Sequence, residues 1–288
     1  MENWIKAGKI AAECLNYGCE IAKPGTKLFD IAEKIEAKIK QMGAKPAFPV
    51  NLSLNSIAAH YTPHNGDETL FTEKDILKID VGVHVDGYVG DCARTVGNDK
   101  ELIAAAEAAL NDAIPLCTPG TKLCDIGKAI EKAIGSRGFM SIRNLSGHGI
   151  DKFNLHAGIS IPNFDNGDKT ELYEGQIIAI EPFATRGTSG RVSEGKLSGI
   201  YKLDRIKPVR DMTARKMLSF IANEYNNLPF AERWLEKDYP RAKYMLQLML
   251  KENILHAYPQ LYESTKGVVS QAEHTIYVAE KPVILTKI

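Results

Sequence analysis

The sequence has no excess of either charge, because 36 lysines and arginines are balanced by 36 aspartates and glutamates. This balance argues against a chain built to coat nucleic acid or an anionic membrane. No stretch approaches the ~20 consecutive apolar residues of a membrane span. Residues 1–8 also lack the basic start and apolar run of a signal peptide. We therefore expect a cytoplasmic protein without a membrane partner.

Cysteine is scarce, and no Cys-x-x-Cys pair is present. An odd number of scattered cysteines indicates free thiols in a reducing cytosol rather than a disulfide framework. The five positions are Cys14, Cys19, Cys92, Cys117 and Cys124. With 44% hydrophobic residues, a chain of 288 residues can bury one large core, or form one domain that carries an insertion.

One five-residue segment occurs twice, because Pro-Gly-Thr-Lys-Leu is found at 24–28 and again at 119–123. After each copy, small or apolar residues follow the spacing i, i+3, i+4, i+7 and i+11, which is one face of a helix. A further helix is predicted before each copy, at 5–19 and at 101–113. Chance similarity between two amphipathic helices would give the same pattern. A duplicated unit explains it better, and predicts two related halves with a cleft between them.

The Asp-Gly dipeptide at 86–87 predicts a β-hairpin, because a type I′ turn needs positive φ at both central positions. The flanking strands, 76–85 and 88–96, then pair so that Asp80 and Asp91 are diagonal neighbours on one face, within roughly 7–8 Å at the backbone. Two like charges so placed repel each other. On a solvated face the repulsion would be weak, but the first strand has the composition of an interior strand. A metal ion would resolve the conflict.

The second half of the chain contains two further strand candidates, at 177–180 and 273–279. Between them, residues 211–255 carry helical patterns that are interrupted by Pro229 and Pro240. We interpret this stretch as a helical insertion between two strands of the second half.

Three more residues could share a metal with the two aspartates. His148 lies between two glycines, Glu181 directly follows an apolar run, and Glu273 begins the last predicted strand. Each alone is common in a loop or on a solvated strand. Together with the aspartates, these residues carry four negative charges, which two divalent cations would balance. Four carboxylates and one imidazole suit Mn, Fe, Co or Zn, and two ions about 3.5–4 Å apart can share a water molecule.

The order of these five residues resembles the Asp-Asp-His-Glu-Glu pattern of the methionine aminopeptidases. The matching segments are Lys-Ile-Asp80-Val-Gly, Gly-Asp91, Gly-His148-Gly-Ile, Ile-Glu181-Pro-Phe and Glu273-His-Thr. The resemblance implies an α+β chain with the pita-bread fold, in which two pseudo-symmetric α/β halves share an antiparallel sheet. It also implies a single catalytic domain over 1–288.

Three features resemble type II members of this family. The segment 58–63 resembles the one that carries the family's catalytic histidine, here His60. His156 lies eight residues beyond the metal histidine, as in type II enzymes. The helical stretch resembles the type II insertion, for which we expect a subdomain over 200–256. Because the chain starts directly at the catalytic fold, it resembles archaeal rather than eukaryotic members. Leu155 replaces an expected isoleucine, which changes the shape of the pocket and not its chemistry.

The resemblance implies two divalent metal ions (Co, Mn, Fe or Zn) that activate a water molecule to remove an N-terminal methionine followed by a small residue. One ion would be bound by Asp91, His148, Glu181 and Glu273, and the other by Asp80 and Asp91, with Asp91 and Glu273 bridging the pair. Glu181 would also transfer the proton of the water. The expected partners are nascent polypeptide N-termini, with the ribosome as a further candidate, and a monomer is expected.

Substrate-binding roles also follow from the resemblance. His60 and His156 would bind around the scissile peptide and stabilise charge in the tetrahedral state. Without the resemblance, His60 reads equally well as a surface loop residue. Phe48, Leu155 and Tyr258 are candidates for an apolar slot that accepts methionine, although Phe48 also fits an ordinary core position.

Two other functions are compatible with parts of this pattern. A prolidase or aminopeptidase P would use the same five ligands, but such relatives usually carry an additional N-terminal domain, and only 79 residues precede Asp80. A non-catalytic binding protein with this fold, in contact with RNA or ribosomes, would be expected to lose metal ligands, and all five are present.

Overall fold

The computed structural model describes residues 1–287, which form seven α-helices and fifteen strands. The helices are α1 (Glu2–Ile21), α2 (Leu28–Gln41), α3 (Lys100–Ala113), α4 (Leu123–Gly135), α5 (Met212–Glu224), α6 (Glu232–Glu236) and α7 (Ala242–Lys251). The strands are β1 (Lys45–Pro46), β2 (Asn51–Leu54), β3 (Ile57–Ala59), β4 (Ile76–Val85), β5 (Tyr88–Gly97), β6 (Met140–Ser141), β7 (Ser146–Gly149), β8 (Ser160–Pro162), β9 (Ile177–Ile180), β10 (Phe183–Thr185), β11 (Val192–Leu203), β12 (Phe230–Ala231), β13 (Leu255–Glu263), β14 (Val269–Tyr277) and β15 (Val283–Ile284).

The strands form two sheets. The larger sheet has eleven strands, with the central order β1-β4-β5-β14-β9-β7-β8 and four short strands attached beside it. The smaller sheet has the order β12-β11-β13-β3. Neighbouring strands are antiparallel in both sheets, as in the hairpin pair β4 and β5 and the long pair β11 and β13. The α+β class with an antiparallel sheet, predicted from the sequence, is confirmed.

The repeated segment begins the second helix of each half, and both copies make the same contacts. Gly25 and Gly120 adopt positive φ, at 91° and 82°, which glycine tolerates without strain. Their N–H groups donate to the carbonyls of Phe71 and Leu172 respectively. Each half has its own apolar core, one between α1, α2 and β4 and the other between α3, α4 and β14. The prediction of two related halves is therefore confirmed.

The central hairpin has the predicted register. Asp86 and Gly87 have φ values of 52° and 87°. Asp80 is paired with Ala93, and Asp91 with Gly82. The valines at 81, 83 and 85 are buried in the core on the opposite face, as the period of two predicts.

The prediction for the last strand was wrong at its start. β14 begins at Val269 rather than at 273, so Glu273 lies in the middle of the strand. The early part was missed because Ser270 and Gln271 are polar and yet buried. Ser270 Oγ donates to the carbonyl oxygen of Leu102 at 2.7 Å, which satisfies the hydroxyl inside the core. The pairing of β14 with β15 was not predicted.

Helices α5, α6 and α7 lie between β11 and β13, around a third apolar core. Asp211 begins α5 by accepting hydrogen bonds from Thr213 and Ala214 through its side chain, as an N-cap aspartate does. The stretch 200–256 also contains β12 and the ends of β11 and β13, so it is not helical throughout. Its role as a type II insertion stays a prediction. Among the described residues, no helix is long and apolar enough to cross a membrane.

Candidate metal centre and active site

The five predicted metal ligands lie on or beside five adjacent strands of the large sheet. In the order of the sheet, β4 carries Asp80, β5 carries Asp91, β14 carries Glu273, the end of β9 leads to Glu181, and β7 carries His148. Residues far apart in the chain are thus brought together by strand order alone.

Four of these side chains converge on one point. His148 Nε2 lies 3.7 Å from an Asp91 carboxylate oxygen and 3.7 Å from a Glu181 carboxylate oxygen. One ligand atom each from Asp91, His148 and Glu273 lies within 4.8 Å of the others, and all three residues are buried. The two 3.7 Å distances are compatible with a shared cation, because ligand atoms about 2 Å from an ion lie within about 4 Å of one another.

The electrostatics of the cluster favour a bound cation. Burial raises the pKa of Asp91, Glu181 and Glu273 well above their ordinary values, and repulsion between the carboxylates raises each pKa further. Burial raises the pKa of Asp80 to about 7, against an opposing hydrogen bond from Gln271. Carboxyl groups this unfavourable as anions ionise at pH 7 only with positive charge beside them.

Two buried residues that sequence reasoning missed support the cluster. Gln271 Nε2 lies 3.5 Å from an Asp80 oxygen and 3.4 Å from a Glu273 oxygen. Thr275 Oγ1 accepts a hydrogen bond from the backbone N–H of Asp91 at 2.8 Å and donates one to the backbone carbonyl of Asp91 at 2.8 Å. Both residues are two positions from Glu273, so the period of two in a strand could have identified them once that glutamate was proposed.

All ten predicted site residues border one cavity of about 340 Å³. Its floor is the carboxylate cluster, and its walls include the three predicted slot residues Phe48, Leu155 and Tyr258. Phe48 and Leu155 are buried and belong to one apolar cluster, so each also packs in the core. Phe48 therefore packs in the core and borders the cavity at the same time.

The two predicted catalytic histidines line this cavity. His60 adopts φ of 64°, and its Nδ1 lies 3.2 Å from the carbonyl oxygen of Pro259. Burial lowers its pKa to about 4, so His60 is neutral at pH 7. The ring of His156 lies 4.5 Å from the ring of His148, edge to face. The cavity thus has neutral imidazole close to the carboxylate cluster.

Asn51 is a further cavity residue that was not predicted. It lies on β2 directly opposite Asp80, and it also borders the cavity. Its position could be found only by knowing that β2 pairs with β4, and no local pattern in the sequence indicates that pairing.

A family model for metallopeptidase family M24 matches residues 2–280. The chain therefore belongs to this family of metallopeptidases. It is 49% identical to a methionine aminopeptidase from Pyrococcus abyssi over 292 aligned positions, which cover 99% of each chain. Within the family, the chain thus stands among the methionine aminopeptidases, and its resemblance to archaeal members is confirmed.

Solved structures support the same fold. The chain matches a methionine aminopeptidase from Rickettsia prowazekii with a TM-score of 0.72 and 25% identity, over 99% of this chain and 95% of the other. It also matches a thermophilic Arx1 with a TM-score of 0.86 and 18% identity, over 99% of this chain and 90% of the other. The second match shows the fold alone.

Proposed function

We propose that the chain hydrolyses the first peptide bond of nascent polypeptides that begin with methionine followed by a small residue, and that it uses two divalent cations. The observation that carries this proposal is a single cavity with four carboxylates and an imidazole at its floor and apolar side chains on its walls. The 49% identical relative from Pyrococcus abyssi, a methionine aminopeptidase, supports the same activity.

The donor set fits two divalent cations. One carboxylate oxygen of Asp80 and one of Asp91 are buried without a hydrogen-bond partner, and an unpaired buried anion is unfavourable. Asp91, His148, Glu181 and Glu273 would bind one ion, and Asp80 and Asp91 the other, with Asp91 and Glu273 shared. The bound ions would polarise the scissile carbonyl and lower the pKa of a water molecule. This set of ligands leaves Co, Mn, Fe and Zn as candidates for the ions.

Glu181 is the proposed proton carrier. Its side chain is 15% exposed, against 4% for Asp91, so it has access to the cavity. Burial already raises its pKa, and a carboxyl with a raised pKa can accept a proton and return it to the leaving amine. Glu181 would thus both bind an ion and move a proton.

His60 is proposed to orient the scissile peptide. The Pro259 carbonyl can only accept a hydrogen bond, so Nδ1 of the neutral ring carries the proton. Nε2 is then an acceptor, which suits the N–H of the scissile peptide bond. His156, whose ring lies beside that of His148, would bind near the scissile carbonyl. Because the ten proposed site residues come from one chain, a monomer suffices for this function.

The substrate preference is tested with short peptides and defined metals. Met-Ala-Ser should be hydrolysed, whereas Ala-Pro and Gly-Pro dipeptides should not, and an N-acetylated Met-Ala-Ser serves as the control for the free amine. A charged first residue should be rejected because its desolvation in the slot is not compensated. Preference for Xaa-Pro dipeptides would identify a prolidase-like enzyme. Lack of hydrolysis with every metal, by protein that binds metal, would favour a non-catalytic binding protein.

A further inference from the structure

Asn51 presents its side chain to the catalytic cavity. Its neighbour Leu52 is buried in the core of the first half, so the alternation of the strand turns Asn51 to the opposite face. That face is shared with Asp80, because residues that are directly paired in an antiparallel ladder point to the same side. Their Cβ atoms are therefore about 4.5–5.5 Å apart.

The orientation of the Asn51 amide follows from one hydrogen bond. Nδ2 donates to the carbonyl oxygen of Pro49 at 2.8 Å. A carbonyl oxygen cannot donate, so the NH2 group must face Pro49 and the oxygen Oδ1 must point away. Oδ1 is buried and has no hydrogen-bond partner, and Asn51 as a whole is 5% exposed. The wall of the cavity, which Asn51 borders, thus holds a fixed acceptor that lacks a donor.

The position of this acceptor indicates what it binds. β4 pairs with β5 along one edge and with β2, which carries Asn51, along the other. Asn51 therefore lies on the side of Asp80 that faces away from the strands with the other carboxylates. It is also three residues from Phe48, a wall of the proposed methionine slot. A donor between Asp80 and Asn51 would therefore lie on the slot side of the cluster. In a substrate, the group attached to the same carbon as the methionine side chain and the scissile carbonyl is the α-amine.

We propose that Oδ1 of Asn51 accepts a hydrogen bond from the free α-amine of the substrate, which makes Asn51 a specificity residue for unblocked N-termini. This inference rests on the proposed function. An amine supplies two or three N–H donors, enough for Asn51 and for a neighbouring carboxylate. An acetylated N-terminus has one N–H and a bulky acyl group, so it satisfies this acceptor poorly.

The test compares two small ligands that differ only in the amine. L-Methionine and 4-(methylthio)butanoate, which is methionine without its amino group, are measured by ligand-observed NMR with metal-loaded protein. The variants are Asn51→Ala and Asn51→Leu, the second branched at Cγ as asparagine is but without polar atoms, and Ser53→Ala on the same face of β2 is the control. We expect the Asn51 variants to bind L-methionine roughly tenfold more weakly, which corresponds to about 1.4 kcal/mol. Their affinity for the analogue should stay within about twofold of the wild type.

The other outcomes overturn the inference. Equal weakening of both ligands would mean that Asn51 only shapes the cavity, and unchanged affinity for both would mean that its oxygen has no role in binding. Loss of metal, measured by elemental analysis of the same samples, would make Asn51 a metal ligand instead. If one variant does not fold, the other decides. Failure of the proposed function is separate, because wild-type protein would then neither hydrolyse Met-Ala-Ser nor distinguish L-methionine from the analogue.

Discussion

Arg233 connects the helices that follow β11 to the rest of the enzyme, and we expect its removal to be costly. Its guanidinium group donates to the buried carboxylate of Glu36 on α2. A second guanidinium nitrogen donates to Thr62 Oγ1 at 2.9 Å, two residues beyond the catalytic candidate His60. The neighbouring Trp234 also donates to Glu36, at 2.7 Å. One side chain thus joins α6, α2 and the segment that carries His60.

The size of the effect follows from burial. The side chains of Arg233 and Glu36 are 2% and 4% exposed. In Arg233→Met, the carboxylate of Glu36 stays buried without its cation, a change that costs roughly 3–5 kcal/mol. At roughly 2–4 °C per kcal/mol for a chain of this size, Tm should fall by about 10 °C. Met-Ala-Ser hydrolysis should also slow, because the His60 segment loses an anchor.

Urea unfolding and thermal unfolding measure the first effect, and steady-state kinetics measure the second. Arg186→Met is a matched control, because Arg186 pairs with Asp99 while its side chain is 46% exposed, and an exposed pair contributes about 0–1 kcal/mol. The double variant Arg233→Met/Glu36→Gln should be more stable than Arg233→Met alone, since no uncompensated charge remains. A loss below about 1 kcal/mol in Arg233→Met, or a double variant less stable than the single one, would refute the reasoning.

Further outcomes are expected at the site. Asp91→Ala and Glu273→Ala should lose metal and activity, whereas His60→Ala should keep metal and turn over slowly. Elemental analysis and rate measurement on the same samples test this difference, and a folded His60→Ala protein without metal would contradict it. Chelation should abolish hydrolysis, and full turnover by protein shown to be metal-free would exclude metal-dependent hydrolysis. Burial lowers the pKa of His60 from 6.5 to about 4, so the unfolded chain binds this proton more readily than the folded one. Acidification from pH 7 to pH 5 should therefore destabilise the wild type by roughly 1–2 kcal/mol more than it destabilises His60→Asn. Equal acid sensitivity of the two proteins in urea unfolding would contradict the lowered pKa of His60.

Local chemistry explains which parts of the fold were predictable. The Asp-Gly turn at 86–87 determines the register of β4 and β5, so the relation between Asp80 and Asp91 could be calculated before the structure was known. The start of β14 could not be predicted, because the sequence alone makes Gln271 look like a solvent-facing residue. Only the structure shows that it lies beside the carboxylates of Asp80 and Glu273. Asn51 was missed for a similar reason, since its partner Asp80 is 29 positions away in the chain, and their pairing depends on tertiary structure.

The position of β14 explains why metal binding and the duplicated fold belong together. β5 of the first half and β9 of the second half pair with opposite edges of β14, so Glu273 lies at the junction. Asp80 and Asp91 come from the first half, and His148 and Glu181 from the second. Without cations, repulsion between the carboxylates would act across this junction and oppose the packing of the halves. Cations at the same place would convert that repulsion into attraction. Because both halves supply ligands, metal binding would stabilise the packing of one half against the other.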